Sequence, residues 1–134
     1  MENDGHFSGG IVGIGTDLTD VARIRSLLEK YPDAFLKKAF GDVEASYCMS
    51  LANPAESLAA RFAAKEAVAK ALGTGFSEGV TLRGIVVVKT PSGTPQVELD
   101  APSKKIMDSL GGKKIFLSLT HTKDYAQAFA IITR

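Results

Sequence analysis

Residues 54–72 limit the folds open to this chain more than any other segment, and they read PAESLAARFAAKEAVAKAL. Pro54 can occupy the first turn of a helix, Gly73 can end one, and the residues between them are mostly strong helix formers. On a helical wheel one face carries only small side chains: Ala59, Ala60, Ala63, Ala64, Ala67 and Ala71. Glu66 and Lys70 lie one turn apart along the border of that face. The segment therefore predicts a long helix whose alanine face lets another backbone approach closely.

Hydrophobic periodicity divides the chain into a mostly helical first half and a mostly extended second half. In the first half we predict a buried strand that ends in a turn, followed by three shorter helices: a strand at Gly10–Gly15 and helices at Val21–Tyr31, Ala34–Phe40 and Asp42–Leu51. In the second half we predict two antiparallel hairpins separated by a short helix: strands at Val80–Lys89 and Gln96–Leu99, a helix at Ser103–Leu110, and strands at Ile115–Thr120 and Tyr125–Ile132. This segregation of helices and antiparallel strands predicts an α+β fold.

Length and charge exclude several classes of protein. The chain has 134 residues, and 16 Lys plus Arg against 15 Asp plus Glu leave a formal charge of only +1. A nucleic-acid binder normally carries a basic excess on one face, so that class is not indicated. The length supports one core, and we expect a single domain at residues 10–134 after a flexible segment at residues 1–9. We expect no membrane span, and the lone Cys48 favours a cytoplasmic location.

Three segments contain the side chains most suited to chemistry: residues 13–17 (GIGTD), 61–71 (RFAAKEAVAKA) and 118–123 (SLTHTK). Each has an ordinary structural explanation when it is taken alone. Asp17 after a strand is typical of a cap or turn residue, and the pair Glu66 and Lys70 is typical of an exposed helical ion pair. His121 is equally typical of a structural histidine. The glycines match neither the phosphate-loop nor the dinucleotide fingerprint, so neither nucleotide-binding fold is indicated.

Taken together and in this order, the three segments resemble the holo-acyl-carrier-protein synthase family of 4'-phosphopantetheinyl transferases. The similarity runs from Ile11 to about Ile132, and RFAAKEAVAKALGTG is its most diagnostic part. The resemblance implies the fold of that family and transfer of the 4'-phosphopantetheine arm of coenzyme A to a serine of apo acyl carrier protein, with release of adenosine 3',5'-bisphosphate, in fatty acid synthesis. Two alternatives stay open: a transferase of broader range that acts on peptide or polyketide synthase carriers, and a non-catalytic module that binds coenzyme A or a carrier protein.

The resemblance also implies which residues form the site. Asp17 and Glu66 would hold Mg²⁺, an ion that prefers oxygen ligands and takes one or two carboxylates alongside substrate phosphate. Lys70 would lie close to the pyrophosphate. The other coenzyme contacts implied are Arg61 and Lys65 facing phosphate, His121 near the nucleotide end, Gly73 and Thr122. The general base stays open among a metal-bound water, Glu66, Asp17 and His121.

Partner binding should depend on a local basic strip, because acyl carrier proteins are strongly acidic and the net charge of this chain is small. Arg23 and Lys30 fall on the same edge of the first predicted helix, and Arg25 is a further candidate. Before the long helix the chain has Ala52, Asn53 and Pro54, where several relatives carry basic residues near the coenzyme 3'-phosphate. The resemblance implies a homotrimer with the coenzyme cleft between neighbouring subunits.

Overall fold

The computed structural model describes residues 10–134, so the predicted flexible segment at residues 1–9 lies outside the described residues. Ten helices and strands follow one another along residues 10–134: β1 (Ile11–Asp20), α1 (Val21–Lys30), α2 (Pro32–Ala39), α3 (Asp42–Met49), α4 (Pro54–Ala71), β2 (Ile85–Lys89), β3 (Pro95–Leu99), α5 (Ala101–Ser109), β4 (Lys114–His121) and β5 (Tyr125–Thr133). None of the helices in this part of the chain combines the length and the hydropathy that a membrane crossing requires.

The strands form two antiparallel sheets. One has three strands in the order β1-β5-β4, and the other is the β2-β3 hairpin. In the larger sheet Asp17 of β1 lies opposite Ala128 of β5, and Ala128 lies opposite Leu119 of β4. Both predicted hairpins and the predicted α+β class are therefore confirmed.

Helix α4 packs on one face of the three-stranded sheet, and two glycines of β1 allow the close approach. A Cβ atom on Gly13 would collide with the carbonyl oxygen of Ala71, and one on Gly15 would collide with that of Ala67. Because glycine has no side chain, strand and helix meet backbone to backbone. The predicted role of the alanine face of α4 is confirmed. Among the buried side chains around this contact are Val68, Leu72, Ile85, Val87, Ala128, Ala130 and Ile132.

Strand β1 is longer than predicted, because it continues to Asp20 instead of ending in a turn after Gly15. Its backbone stays paired with β5 along this stretch, so Gly15 serves the contact with α4 and not a turn. Asp17 therefore lies inside the strand, which corrects the prediction of an acid at a strand end. The chain enters α1 at Asp20, whose carboxylate accepts a hydrogen bond from the N–H of Ala22 (2.9 Å) and caps the helix.

The starts of β2 and α2 also differ from the prediction. Strand β2 begins at Ile85 and not at Val80, because the residues before it form turns in which the N–H of Gly84 donates to the hydroxyl of Thr81 (3.0 Å). Val80 is nevertheless buried in the core, and this burial explains the hydrophobic residue that suggested a strand at this position. Helix α2 begins at Pro32, which takes the first helical position where its missing N–H costs nothing.

The sheet face opposite α4 is exposed and apolar. Side chains alternate between the two faces of a strand, so the neighbours of the inward-facing glycines and alanines point outward. Large apolar residues on this outer face are exposed in all three strands: Ile14, Leu18, Phe116, Tyr125 and Phe129. An apolar face of this kind on a small protein marks an interaction surface.

Candidate active site

The carboxylate of Asp17 lies at the contact between β1 and α4. Its Oδ2 accepts a hydrogen bond from the hydroxyl of Thr19 (2.7 Å), which faces the same side of the strand two residues on. Its Oδ1 lies 3.4 Å from the ammonium of Lys70, and that ammonium also donates to the carbonyl oxygen of Thr16 (3.0 Å). The side chain of Lys70 is half exposed, so its remaining donors face solvent. Strand and helix thus bring an oriented acid and a cation to one place.

Glu66 belongs to the same cluster. Burial raises the pKa of its carboxyl above the ordinary value, and the negative charge of Asp17 raises it further, whereas Lys70 and Arg23 lower it. Two carboxylates that interact in a half-buried site repel each other, and a cation between them would relieve that repulsion. The structure therefore brings Asp17, Glu66 and Lys70 to one place, and their roles stay predictions.

The donor set of this cluster fits a magnesium ion. Within residues 10–134 no group of three or more His, Cys, Asp or Glu side chains is arranged to hold a metal. Magnesium, however, is usually held by one or two carboxylates and completes its shell with substrate phosphate and water. Asp17 and Glu66 supply that number of carboxylates. The metal itself stays a prediction.

A groove of about 660 Å³ lies on the other side of α4, next to β2 and β4. Its lining includes the basic side chains Arg61, Lys89 and His121. His121 is the last residue of β4, one residue beyond the predicted end of the strand, and its Nδ1 lies 3.3 Å from Oε1 of Glu56 in the first turn of α4. The groove therefore combines three basic side chains and one acid, Glu56, with apolar walls, which suits a ligand that has both anionic and apolar parts.

Arg61 is held at the wall of this groove. Its Nη1 donates to the carbonyl oxygen of Val87 (2.6 Å), and its guanidinium lies 5.0 Å from the ring centroid of Tyr47. Although the residue is largely buried, it still contributes to the groove lining. Its predicted contact with phosphate stays a prediction that this position supports.

The orientation predicted for Lys65 is wrong. Its ammonium is fully buried and donates to the carboxylate of Glu44 (2.7 Å) and to the carbonyl oxygens of Leu82 (2.9 Å) and Ile85. Burial lowers the pKa of Lys65, and the charge of Glu44 partly opposes that effect. The ammonium therefore faces the protein interior, where no phosphate can reach it.

Gly73 and Thr122 occupy turns. Gly73 follows α4 with a positive φ of 84°, and the space where its side chain would lie is open. The hydroxyl of Thr122 accepts hydrogen bonds from the N–H groups of Asp124 (3.2 Å) and Tyr125 (3.1 Å), which fixes the turn between β4 and β5. Their coenzyme contacts stay predictions.

The predicted site residues form two groups on opposite flanks of α4. Asp17 lies on the edge strand β1 and His121 on the other edge strand β4, with β5 between them. Glu66 and Arg61 are five residues apart in α4, which is a rotation of about 140° around the helix. A single subunit therefore does not bring the acid cluster and the groove together.

The basic residues of α1 are exposed, as docking residues must be. Arg23 lies beside the acid cluster. Its charge lowers the pKa of Glu66, and its guanidinium lies 5.6 Å from the ring centroid of Phe62. Lys30 lies two turns further along the same edge, whereas Arg25 is rotated by about 200° from Arg23 and points elsewhere. Their role in docking stays a prediction.

Three residues of these clusters were not predicted from the sequence. Thr19 supports Asp17, and the two-residue period would have placed both on one face if the strand had been predicted to continue. Glu56 contacts His121, and no local pattern indicates that contact. Glu44 binds Lys65, and its only signal is its place in the first turn of a helix after Gly41, where an acid commonly caps.

Comparison with known proteins defines the class of protein first. The sequence model of the 4'-phosphopantetheinyl transferase superfamily matches residues 13–130, which include every predicted site residue. This match shows that the chain is a member of that superfamily.

More similar proteins define the family. A holo-[acyl-carrier-protein] synthase of Chlamydia trachomatis serovar L2 is 46% identical over 119 residues, which are 89% of this chain and 97% of the relative. The crystal structure of the Neisseria meningitidis holo-[acyl-carrier-protein] synthase matches with a TM-score of 0.86 at 33% identity, covering 93% of this chain and 100% of that one. The Helicobacter pylori holo-[acyl-carrier-protein] synthase, solved in complex with coenzyme A, has a TM-score of 0.77 at 28% identity, covering 89% and 98%. The chain belongs to the holo-[acyl-carrier-protein] synthase family.

Proposed function

We propose that this protein transfers the 4'-phosphopantetheine group from coenzyme A to a serine of apo acyl carrier protein, and that the reaction requires Mg²⁺. The names of the relatives and the coenzyme A complex of the Helicobacter pylori synthase support the substrates. The observation that carries the proposal is the convergence of Asp17, Glu66 and Lys70 where β1 meets α4.

In the proposed reaction the serine oxygen forms a bond to the phosphorus that carries the pantetheine. The bond from that phosphorus to the bridging oxygen breaks, and adenosine 3',5'-bisphosphate leaves. Negative charge builds on the phosphoryl oxygens, and a magnesium ion held by Asp17 and Glu66 would neutralise part of it. Thr19 holds Asp17 in place, and the half-exposed ammonium of Lys70 can neutralise further charge or protonate the departing phosphate. The candidates for the base that takes the serine proton are Glu66, Asp17 and His121, and a bound metal would add a coordinated water to them.

We propose that the groove beside β4 receives the nucleotide end of coenzyme A. Arg61 lies in its lining and supplies positive charge for the phosphates of that end, and the imidazole of His121 lies in the same lining. Gly73, at the end of α4 near Lys70, leaves open space on the side of the acid cluster, where the pantetheine arm would pass. Lys65 has no part in this site, because its ammonium is buried.

The protein is proposed to act as a homotrimer with active sites at the subunit interfaces. The supporting observation is that one subunit keeps its acid cluster and its groove on opposite flanks of α4, so that a second copy is needed to complete a site. The apolar outer face of the sheet offers the surface for that contact. Light scattering should give three times the subunit mass, and Phe129→Arg should lower the measured mass. A monomeric wild-type protein with full activity would contradict this assembly.

The carrier is proposed to dock on α1 through Arg23 and Lys30, without Arg25, which points away from them. These side chains are exposed, and Arg23 lies next to Glu66, so a carrier bound there would present its serine to the acid cluster. We place the reaction in the cytoplasm and in fatty acid biosynthesis. The family membership supports this assignment, and the lone buried Cys48 is consistent with a reducing compartment.

The decisive experiment incubates the protein with coenzyme A, Mg²⁺ and an apo carrier, and weighs the carrier by mass spectrometry. A gain of one phosphopantetheine on the fatty-acid carrier alone supports the proposal, and chelation of the metal should abolish that gain. An equal gain on peptide-synthase carriers would indicate a transferase of broader range. Binding of coenzyme A without any gain would indicate a non-catalytic module, and the proposed function would be wrong.

A further inference from the structure

A buried carboxylate outside the proposed reaction centre, that of Glu44 in α3, joins three elements of the fold. Its Oε1 accepts hydrogen bonds from the N–H of Gly41 (3.0 Å) and from the ammonium of Lys65 (2.7 Å). Its Oε2 accepts one from the N–H of Val87 (2.9 Å) and lies 3.9 Å from Nη1 of Arg61. A single side chain that is 2% exposed thus connects α3, α4 and β2.

The backbone of Val87 makes hydrogen bonds to side chains at the open edge of the β2-β3 sheet. In an antiparallel strand the N–H and the C=O of one residue point to the same side. The N–H of Val87 donates to Glu44 and its C=O accepts from Arg61, so the two side chains take the place of a neighbouring strand. The next two residues, Val88 and Lys89, line the groove. The position of this groove wall therefore depends on Glu44 and Arg61 together.

Of the two cations beside Glu44, only Arg61 lines the groove. Glu44 faces two buried cations, Lys65 and Arg61. The ammonium of Lys65 makes three hydrogen bonds inside the protein and does not reach the groove. Arg61 does line it, and its guanidinium is held by the carbonyl of Val87 and by the ring of Tyr47. An anion that enters the groove meets a guanidinium that is already oriented.

We propose that Glu44 is a positioning residue of the coenzyme groove, which orients the guanidinium of Arg61 and the β2 wall without touching the coenzyme. The inference rests on the proposed transfer reaction and adds to it a residue on a helix that contributes nothing to the acid cluster. A planar guanidinium held in place loses less freedom on binding a phosphate than a free one. Glu44 should therefore affect coenzyme affinity and leave the chemical step and the carrier contact unchanged.

A kinetic double-mutant cycle of Glu44→Gln and Arg61→Gln tests this role. Glu44→Gln keeps the side-chain volume and removes the charge, and we expect KM for coenzyme A to rise about tenfold, the scale of one charge-assisted contact. We expect kcat and KM for the carrier to change less than about twofold, because neither the acid cluster nor α1 is disturbed. In the Arg61→Gln background the added Glu44→Gln should change KM for coenzyme A less than about twofold, since the guanidinium is gone and the amide oxygen of Gln can still accept from the N–H of Val87. If each substitution raises KM for coenzyme A independently, so that the two fold-changes multiply in the double variant, the proposal is wrong.

Folding must be followed in the same variants, because Glu44→Gln leaves the buried ammonium of Lys65 without its partner. Circular dichroism and thermal unfolding report whether each variant is folded. If Glu44→Gln does not fold, the same double-mutant cycle is measured in a Lys65→Met background. If Glu44→Gln unfolds the protein in that background too, Glu44 is purely structural and the proposal is wrong. Calorimetric titration of the wild-type protein with coenzyme A distinguishes a failure of the proposed function from a failure of the proposed role of Glu44. No binding and no carrier modification would refute the proposed function, whereas normal binding and activity with multiplying effects would refute only the role of Glu44.

Discussion

Replacing Gly15 by alanine is expected to destabilise the protein strongly, because the added methyl group has no free space. An ideal Cβ at this position would overlap the carbonyl oxygen of Ala67 and would lie 2.9 Å from the backbone nitrogen of Ala71. All the atoms it meets belong to the backbone of α4, which cannot rotate away as a flexible side chain can. Strand β1 must therefore separate from α4.

The size of the effect follows from this contact. Overpacking by one methyl group costs about 1–3 kcal/mol in typical cores, and we expect about 3 kcal/mol here because the obstacle is helix backbone. An entropy of unfolding of about 2.1 cal/mol/K per residue gives roughly 0.28 kcal/mol/K for a chain of 134 residues. The midpoint of thermal unfolding should therefore fall by about 10 °C. Activity should fall as well, since Asp17 lies two residues further along the displaced strand.

Thermal and urea unfolding of Gly15→Ala measure this loss, and Gly41→Ala is a matched control. A Cβ at Gly41 would make only ordinary contacts of 3.7 and 3.8 Å, and its φ of −69° suits any residue. The control should cost less than about 1 kcal/mol, the scale of a change at a helix N-cap. If Gly15→Ala unfolds within about 2 °C of the wild-type protein, the backbone contact between β1 and α4 is not as close as described.

Three further predictions concern the acid cluster and its surroundings. Without divalent cations, Glu66→Gln should unfold at a higher temperature than the wild-type protein at pH 7. The fold raises the pKa of Glu66, so the wild-type protein loses stability as Glu66 ionises with rising pH. The difference in unfolding temperature between the variant and the wild-type protein should vanish in acid, where Glu66 is protonated in both the folded and the unfolded state. A lower unfolding temperature of Glu66→Gln at pH 7 would contradict this prediction. Lys70→Met should lower kcat about 100-fold with little change in either KM, whereas Lys104→Met on the exposed face of α5 should have no effect. Arg23→Glu and, separately, Lys30→Glu should raise KM for the carrier about tenfold and leave KM for coenzyme A within about twofold; equal changes in both constants would exclude docking on α1.

Most of the fold could be predicted because its signals are local. Pro54, Gly73 and the alanines between them define α4 within one segment, and alternation defines the strands of the second half. The length of β1 could not be predicted in this way. Gly13 and Gly15 suggested a turn, but their role depends on α4, which lies about fifty residues away in the sequence.

The site was predictable residue by residue only in part. Asp17, Glu66 and Lys70 meet as the family resemblance implied, although they come from a strand and a helix that are distant in sequence. Lys65 shows the limit of such reasoning. It lies next to Glu66 in the chain, yet one step along a helix is a rotation of about 100°, and this rotation turns its ammonium toward Glu44 in the interior.

The central claim is that the carboxylates of Asp17 and Glu66 hold one divalent cation together. It is tested most directly by titrating the protein with Mn²⁺ in the presence of coenzyme A and counting free ions by electron paramagnetic resonance. We predict one bound ion per subunit in the wild-type protein, and a loss of affinity of at least about tenfold in both Asp17→Asn and Glu66→Gln, because each removes a charged ligand. Wild-type affinity in both variants would contradict the claim.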